Sequence, residues 1–248
     1  MLRVLINGCN GKMGQEVAKV VKETPDIDVL CGVDKMDTGD NLFPVFTNVQ
    51  DINLIPDVII DFSIPEATLN ILEFAKNNKI PTVIATTGFT DDQINLLNEY
   101  SEIFPIFRSA NMSYEVNLMA KIVSEVAKKL TDSDIEIIET HHHRKIDSPS
   151  GTALLLADSI NDALNNEMYY EYDRHSKREK RNPKEIGIHS IRGGTEVGTH
   201  SVIFFGNNEK LEITHSVTSR SVFATGAVKA AFYIFGKEKG LFSMNDLV

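Results

Sequence analysis

The stretch Leu2-Arg3-Val4-Leu5-Ile6-Asn7-Gly8-Cys9-Asn10-Gly11-Lys12-Met13-Gly14 decides the fold. Residues 3–7 read as a buried strand. Residues 13–23 read as a helix, with Val17, Val20 and Val21 on one face, and Pro25 ends it. Between them, glycines at 8, 11 and 14 let the backbone turn sharply and approach a ligand. A helix that starts there offers unpaired N–H groups and the positive end of its dipole to a phosphate. The acid Asp34 follows about twenty positions on, at the end of a second strand over 27–34, where a carboxylate can bind the adenosine ribose hydroxyls. A plain strand-turn-helix connection would also tolerate these glycines; the acid at the right place favours a dinucleotide. Asp34 alone suits NADH, because it repels a ribose 2′-phosphate. Lys35 beside it can neutralise that phosphate, so the pair is compatible with NADH, NADPH or both.

Working outward, residues 58–62 (VIIDF) form a continuous apolar run, as a strand covered on both faces would. A helix over 65–77 starts at Pro65, where a missing N–H costs little. Strands over 82–87 and 104–107 flank a helix over 91–100. This alternation predicts βαβ units in a parallel sheet. Asp61-Phe62-Ser63 and Ala85-Thr86-Thr87-Gly88 end their strands on the carboxyl edge, outside which open α/β sheets bind ligands.

The pattern changes after Asn111. A long amphipathic helix over 114–130, a strand over 135–140 and a helix over 152–164 come first. Residues 169–185 are polar and rich in both charges, and read as a surface excursion. Strands around 186–191, 200–205 and 211–215 follow, the last two joined by Gly206-Asn207-Asn208-Glu209, which is hairpin chemistry. Antiparallel pairing is expected in this half. Residues 224–236 form a small-residue helix that must pack closely on something. The expected architecture is α/β: a Rossmann-like parallel-sheet domain followed by a second α+β domain.

Composition sets limits. The 248 residues are 42% hydrophobic and 24% charged, the balance of an ordinary globular chain. A net charge of −10 argues against a nucleic-acid partner, which would need basic surface to displace counterions. Two cysteines are too few for a disulfide framework or a four-thiolate zinc site. No run of roughly 18 apolar residues suggests a membrane span, and the chain opens directly into a strand, so the cytoplasm is the expected location.

The densest chemistry is Glu139-Thr140-His141-His142-His143-Arg144-Lys145-Ile146-Asp147-Ser148-Pro149-Ser150-Gly151-Thr152-Ala153. If the strand persisted through it, His141 and His143 would face one way and His142 the other. Imidazoles suit zinc, yet no further Cys, Asp or His stands at ligand spacing, and no metal is expected. An exposed strand end is a second reading. The third is acid–base catalysis with anion capture. Histidine delivers protons near neutral pH, Arg144 and Lys145 add positive charge, and the loop runs into a helix start. There the N–H groups of Gly151 and Thr152, with the hydroxyls of Ser150 and Thr152, could hold a carboxylate.

With these residues in view the chain resembles one family, the 4-hydroxy-tetrahydrodipicolinate (dihydrodipicolinate) reductases of lysine and diaminopimelate synthesis. The signature E-x-H-H-x-x-K-x-D-x-P-S-G-T-A fits at every fixed position from Glu139 to Ala153. Supporting matches run from the glycine turn through Asp61-Phe62-Ser63, Ala110-Asn111-x-Ser113, Arg192-x-Gly194 and Gly198-x-His200 to Ser219-Arg220-x-x-Phe223-Ala224-x-Gly226-Ala227 and Gly240-Leu241-Phe242-x-Met244. The resemblance implies that His141 donates a proton and that Lys145 assists it while contacting substrate. It implies that His142, Gly151 and Thr152 bind the two carboxylates of a cyclic substrate. Cofactor contacts would come from Gly8, Cys9, Asn10, Gly11, Lys12, Met13, Asp34, Ala85, Thr86, Thr87, Ser109, Ala110, Asn111 and Met112. The resemblance also implies a final helix that returns to the dinucleotide domain (1–112 plus 220–248), a second domain for substrate binding and oligomerisation (113–219), and a homotetramer built through that second domain's sheet. The hydride donor and the histidine fall on different domains, so domain closure is expected. Ala85, Met112 and Glu115 replace the family's usual glycine, phenylalanine and glycine, and the last bears on the local backbone and on the hinge between domains, because that glycine can serve its conformation. A catalytically inactive dinucleotide-sensing regulatory protein is the competing reading.

Overall fold

The computed structural model describes all of residues 1–248, which divide into two compact units, Met1–Tyr114 with Arg220–Val248, and Glu115–Ser219. The first unit begins with β1 (Leu2–Asn7), α1 (Lys12–Glu23), β2 (Ile27–Val33) and a short β3 (Val45–Phe46). It continues with β4 (Val58–Asp61), α2 (Pro65–Asn78), β5 (Thr82–Ile84), α3 (Asp91–Ser101) and β6 (Pro105–Arg108). The second unit holds α4 (Tyr114–Ala127, its first residue still in the first unit), β7 (Asp134–His141), α5 (Gly151–Ala163), β8 (Tyr169–Glu171), β9 (Glu185–Arg192), β10 (Gly198–Phe205) and β11 (Lys210–Val217). The chain then returns to the first unit with α6 (Ser221–Ile234) and β12 (Gly240–Phe242).

In the first unit seven strands pair in the order β12-β6-β5-β4-β1-β2-β3, all parallel. The order reverses between β1 and β4, which places a ligand crevice at the carboxyl ends of those strands. Both sheet faces are covered. Val4, Ile6 and Ile60 pack with Val17 and Val21 of α1 and with Ala227 and Ala231 of α6. Leu5 and Ile59 point the other way, into Ile71, Leu72 and Leu97 of α2 and α3. Each fully buried Ile or Leu contributes roughly 1.5–3 kcal/mol of burial free energy. The small residues of α6 have a definite use: a Cβ on Gly226 would lie 1.6 Å from the Met112 carbonyl oxygen, so the helix can approach only without one. The strands β3 and β12 were not legible in the sequence; at two and three residues they show no periodicity.

The second unit corrects the antiparallel expectation. Its five strands run β11-β10-β7-β9-β8; β10 is antiparallel to both neighbours, but β7–β9 and β8–β9 are parallel, so the sheet is mixed. The segment 169–185 is not a bare excursion either. It contributes β8 and is stapled down by its charges: Arg174 pairs with buried Glu185, Lys177 with Glu171, and Arg181 with Asp134 at 2.7 Å and Glu136 at 3.0 Å. Glu115 sits in the first turn of α4 with ordinary helical backbone, and an acid in a first turn is favourable.

Candidate active site

Residues of β7 alternate, and Ile135, Ile137, Glu139 and His141 face inward. The inward row therefore starts apolar and turns ionic at its carboxyl end. Register places His141 opposite Arg192 on β9, Glu139 opposite His200 on β10, and His200 opposite His215 on β11. One polar row thus crosses four strands.

Glu139 is its centre, with no solvent exposure. Oε2 accepts from His141 Nδ1 at 2.5 Å and Arg192 Nη1 at 2.7 Å; Oε1 accepts from Arg192 Nη2 at 2.7 Å and the Ser150 N–H at 3.1 Å. Burial alone would raise this carboxyl, but hydrogen bonds from Arg192, Ser190 and His141 outweigh it and hold it at about 2. Glu139 is therefore ionised and only accepts, and His141 Nδ1 must carry the hydrogen. The free nitrogen, Nε2, meets Gly198, where a Cβ would stand 3.0 Å away. The missing side chain leaves access to Nε2.

The strand ends at His141, so the alternation expected through His143 does not hold. The chain instead turns over a neighbouring loop, with the His142 N–H on the Glu196 carbonyl at 2.8 Å and the His143 N–H on the Gly194 carbonyl at 3.3 Å. His143 and Arg144 are exposed. No three His, Cys, Asp or Glu side chains are placed to hold a metal ion. Lys145 Nζ pairs with Asp147 at 2.8 Å, which holds the Asp147 carboxyl below its usual range. Asp147 is 60% exposed, so the pair is weak and a ligand carboxylate can compete for the ammonium.

Ser150 departs from its expected role. It is buried, its Oγ caps α5 by accepting from the Ala153 N–H at 3.1 Å, and the same oxygen meets His200 Nε2 at 2.9 Å. Its hydroxyl is thus committed inside. The anion end of α5 is the Gly151 N–H, which has no carbonyl behind it in the helix, together with half-buried Thr152; no acid stands in the first turn.

Sequence reasoning assigned no chemistry to Glu139, Arg192, His200 or His215. His200 packs edge-on to His141 with ring centroids 5.1 Å apart, and burial, then the neighbouring His141, lowers it to about 4. Its folded value lies below the ordinary 6.5, so the unfolded chain binds more protons between those values and stability falls as pH drops from 6.5 towards 4. The contribution is about 3 kcal/mol. Urea unfolding of His200→Gln is expected to show that much less acid sensitivity across this window than the parent; equal sensitivity would place the effect elsewhere.

In the first unit, Gly8 adopts φ +79° and its N–H bonds the Val33 carbonyl at 2.8 Å. The cap of α1 is Gly11, with no side-chain hydrogen bond and no acid in the first turn, so the positive helix end is unneutralised. Asp34 accepts from the Asn10 N–H at 2.8 Å and the Lys35 N–H at 2.7 Å, which leaves lone pairs on both oxygens. A cavity of about 1160 Å³ is bounded by Gly8, Asn10, Gly11, Asp34, Lys35 and Ser63, among others. A turn with no room for a side chain at Gly8, an open helix end and an acid at the far rim fit a dinucleotide.

Other expected cofactor residues stand apart from this cavity. Lys12 is exposed and Met13 half-buried. Cys9 is fully buried and its thiol is pushed up to about 12 by burial, so only its backbone can serve. Ala85, Thr86 and Thr87 follow β5, and Ser109, Ala110, Asn111 and Met112 follow β6, on the same carboxyl edge. Met112 is 2% exposed and packs in the core. The Thr86 hydroxyl is committed to Asp61 at 2.8 Å. That buried carboxylate also accepts from Asn7, Ser63 and Thr68, tying β1, β4, α2 and the end of β5 together beneath the crevice.

Known proteins resemble both units. The family described as "Dihydrodipicolinate reductase, N-terminus" matches residues 2–112, and "Dihydrodipicolinate reductase, C-terminus" matches residues 115–248. A "4-hydroxy-tetrahydrodipicolinate reductase" of Caldanaerobacter subterraneus subsp. tengcongensis is 50% identical over 248 residues, covering 100% of this chain and 98% of that one. Its namesake in Clostridium tetani is 46% identical over 251 residues, covering 100% and 97%. A solved dipicolinate-bound dihydrodipicolinate reductase from Paenisporosarcina sp. TG-14 superposes with a TM-score of 0.84 at 27% identity, covering 100% of both chains. The expectation formed on the histidine signature and the glycine turn therefore holds along the whole length, and the chain belongs to the dihydrodipicolinate reductase family.

Proposed function

We propose that the chain is a 4-hydroxy-tetrahydrodipicolinate reductase, an oxidoreductase of lysine and diaminopimelate synthesis that uses NADH or NADPH. The observation that carries the mechanism is the carboxylate-held His141, joined through Glu139 to the start of α5 and followed closely in the chain by Lys145. The dinucleotide supplies the hydride when bound. Gly8, Asn10, Gly11 and the first turn of α1 hold its pyrophosphate, Asp34 its ribose, and Lys35 stands ready for a 2′-phosphate. The Gly151 N–H, Thr152, His142 and Lys145 hold the two carboxylates of the cyclic substrate. As the conjugated imine gains the hydride, its neighbouring atom gains the electron pair, and His141 Nε2 gives that atom a proton. His141 is reprotonated by solvent; the net reaction releases oxidised dinucleotide and, from the 4-hydroxyl, water. The net charge of −10 is no obstacle, since the cationic groups are local.

We further infer cytoplasmic residence and a homotetramer built on the second unit's sheet. Support for the latter is the exposure of Ile191, Phe205 and Leu211 on β9, β10 and β11. No helix is long and apolar enough to cross a membrane. Light scattering at four times the 27.6 kDa chain mass is the expected result. The inactive regulatory reading finds no support among relatives named as reductases.

The test is an assay in which fresh substrate is made from pyruvate and aspartate semialdehyde by the preceding synthase, while NADH and NADPH oxidation are followed in parallel. Enzyme-dependent oxidation of either is expected; none of either from folded protein would overturn the reading. Lys145→Ala is expected to raise KM for the dicarboxylate roughly 10- to 100-fold, the worth of one charge-assisted hydrogen bond, and to lower kcat. A change confined to dinucleotide affinity would remove Lys145 from the substrate site.

A further inference from the structure

His141 cannot choose its own working nitrogen; its neighbours do so. The groups around it are Glu139 on its own strand, Arg192 opposite it on β9, and His200 against its ring on β10 with His215 beyond on β11; Ser150 at the cap of α5 bonds both Glu139 and His200, and Lys145 pairs with Asp147 in the connecting segment. Of these only Glu139 bonds the ring, and it does so at the far side from the opening at Gly198. Its other lone pairs are filled by both Nη atoms of Arg192 and by the Ser150 N–H.

We infer that Glu139 is a positioning residue with two linked duties: it keeps the hydrogen on His141 Nδ1, so that Nε2 is the atom that gives its proton to substrate, and through the Ser150 N–H it fixes the start of α5 against the same ring. It touches no substrate and acts through His141 and α5. Arg192 completes the device, since its bidentate grip fixes the plane of the carboxylate. A neutral amide in place of Glu139 would present no negative charge to the imidazolium and would leave the Arg192 charge unopposed beside it. Both effects disfavour the proton-loaded ring. An amide oxygen can still accept from Ser150, so substrate anion binding should survive.

The inference rests on His141 being the proton donor, and the experiment separates the two. Glu139→Gln, His141→Gln and the parent are compared in kcat and KM from pH 5.5 to 9.5. For Glu139→Gln the pH above which kcat is lost moves down by about one unit or more, so kcat at pH 8 falls roughly tenfold, while KM for the dicarboxylate changes little. A merely structural loss would scale kcat equally at every pH and leave that limb in place. If the limb of Glu139→Gln coincides with the parent's while His141→Gln is slow, the positioning role fails and the donor stands; if His141→Gln is as fast as the parent, the donor itself fails. Histidine ring ¹⁵N–¹H spectra of the parent, with His141 assigned by its absence in His141→Gln, decide the matter even if Glu139→Gln does not fold. A neutral ring protonated at Nδ1 is expected, and protonation at Nε2 would overturn the inference.

Discussion

His141→Gln is expected to lower kcat by roughly 10²-fold or more, the range for a lost general acid, or about 3 kcal/mol in the barrier. Glutamine has nearly the length of histidine and can place an amide near Glu139, so the Glu139–Arg192 pair should persist. What it lacks is a proton it can give up. The dinucleotide turn lies in the other unit and has no atom in common with this row, so NADH affinity should be that of the parent. KM for the dicarboxylate should change little, because Lys145, His142 and the Gly151 N–H remain. Any fall in kcat at high pH that the parent shows is expected to be absent from the residual rate, since the proposed donor has gone. Steady-state kinetics with NADH and NADPH across pH checks all three points. An unchanged kcat would remove His141 from the proton-transfer role.

The pattern of this result explains what could be read before any coordinates. The proposed proton donor, the lysine and the helix start are local: His141, Lys145 and Gly151 lie within one signature, and local spacing is what a sequence displays. The strand–helix alternation was legible for a similar reason, because from β1 to β6 each strand, turn and helix follows its neighbour in the chain. Glu139 was in view but mute, because its partner Arg192 is 53 residues away and reaches it only through the parallel pairing of β7 with β9. That pairing was itself misjudged: strands joined by short turns suggest antiparallel neighbours, while β9 arrives by way of the charged segment and β8. The charges of that segment looked solvated because a sequence does not show that Arg181 meets Asp134 and Glu136. Ser150 illustrates the opposite case. A hydroxyl beside an anion site invites a ligand role, yet the N-cap and His200 already use it.

Gly14→Ala is the substitution expected to do most harm per atom added. Gly14 lies inside α1, where alanine is normally the better residue by roughly 1 kcal/mol. Here the added methyl would stand 2.2 Å from the Gly8 carbonyl oxygen, 2.7 Å from Cys9 Cα and 2.9 Å from the Cys9 carbonyl carbon. All three are backbone atoms, so no side chain can rotate away. Either α1 withdraws from the sheet, or the turn from Gly8 to Gly11 opens. Withdrawal loses the contacts of Val17 and Val21 with the core, and overpacking of this kind costs about 3 kcal/mol or more. Opening the turn moves the N–H groups that face the pyrophosphate, and loss of two charge-assisted bonds weakens NADH binding roughly 10²-fold or more. Gly11→Ala sets the scale, because its methyl would approach the same oxygen only to 3.2 Å, a contact that small shifts can relieve. Thermal unfolding and NADH titration of both variants should therefore rank Gly14→Ala well below Gly11→Ala, and Gly11→Ala below the parent. Binding of a pyridine dicarboxylate to the second unit, which contains none of these atoms, is expected to persist in both. If Gly14→Ala bound NADH as the parent does, the phosphate contacts would have to lie outside the turn, and the close packing of Gly14 on Gly8 would serve the helix–sheet junction alone.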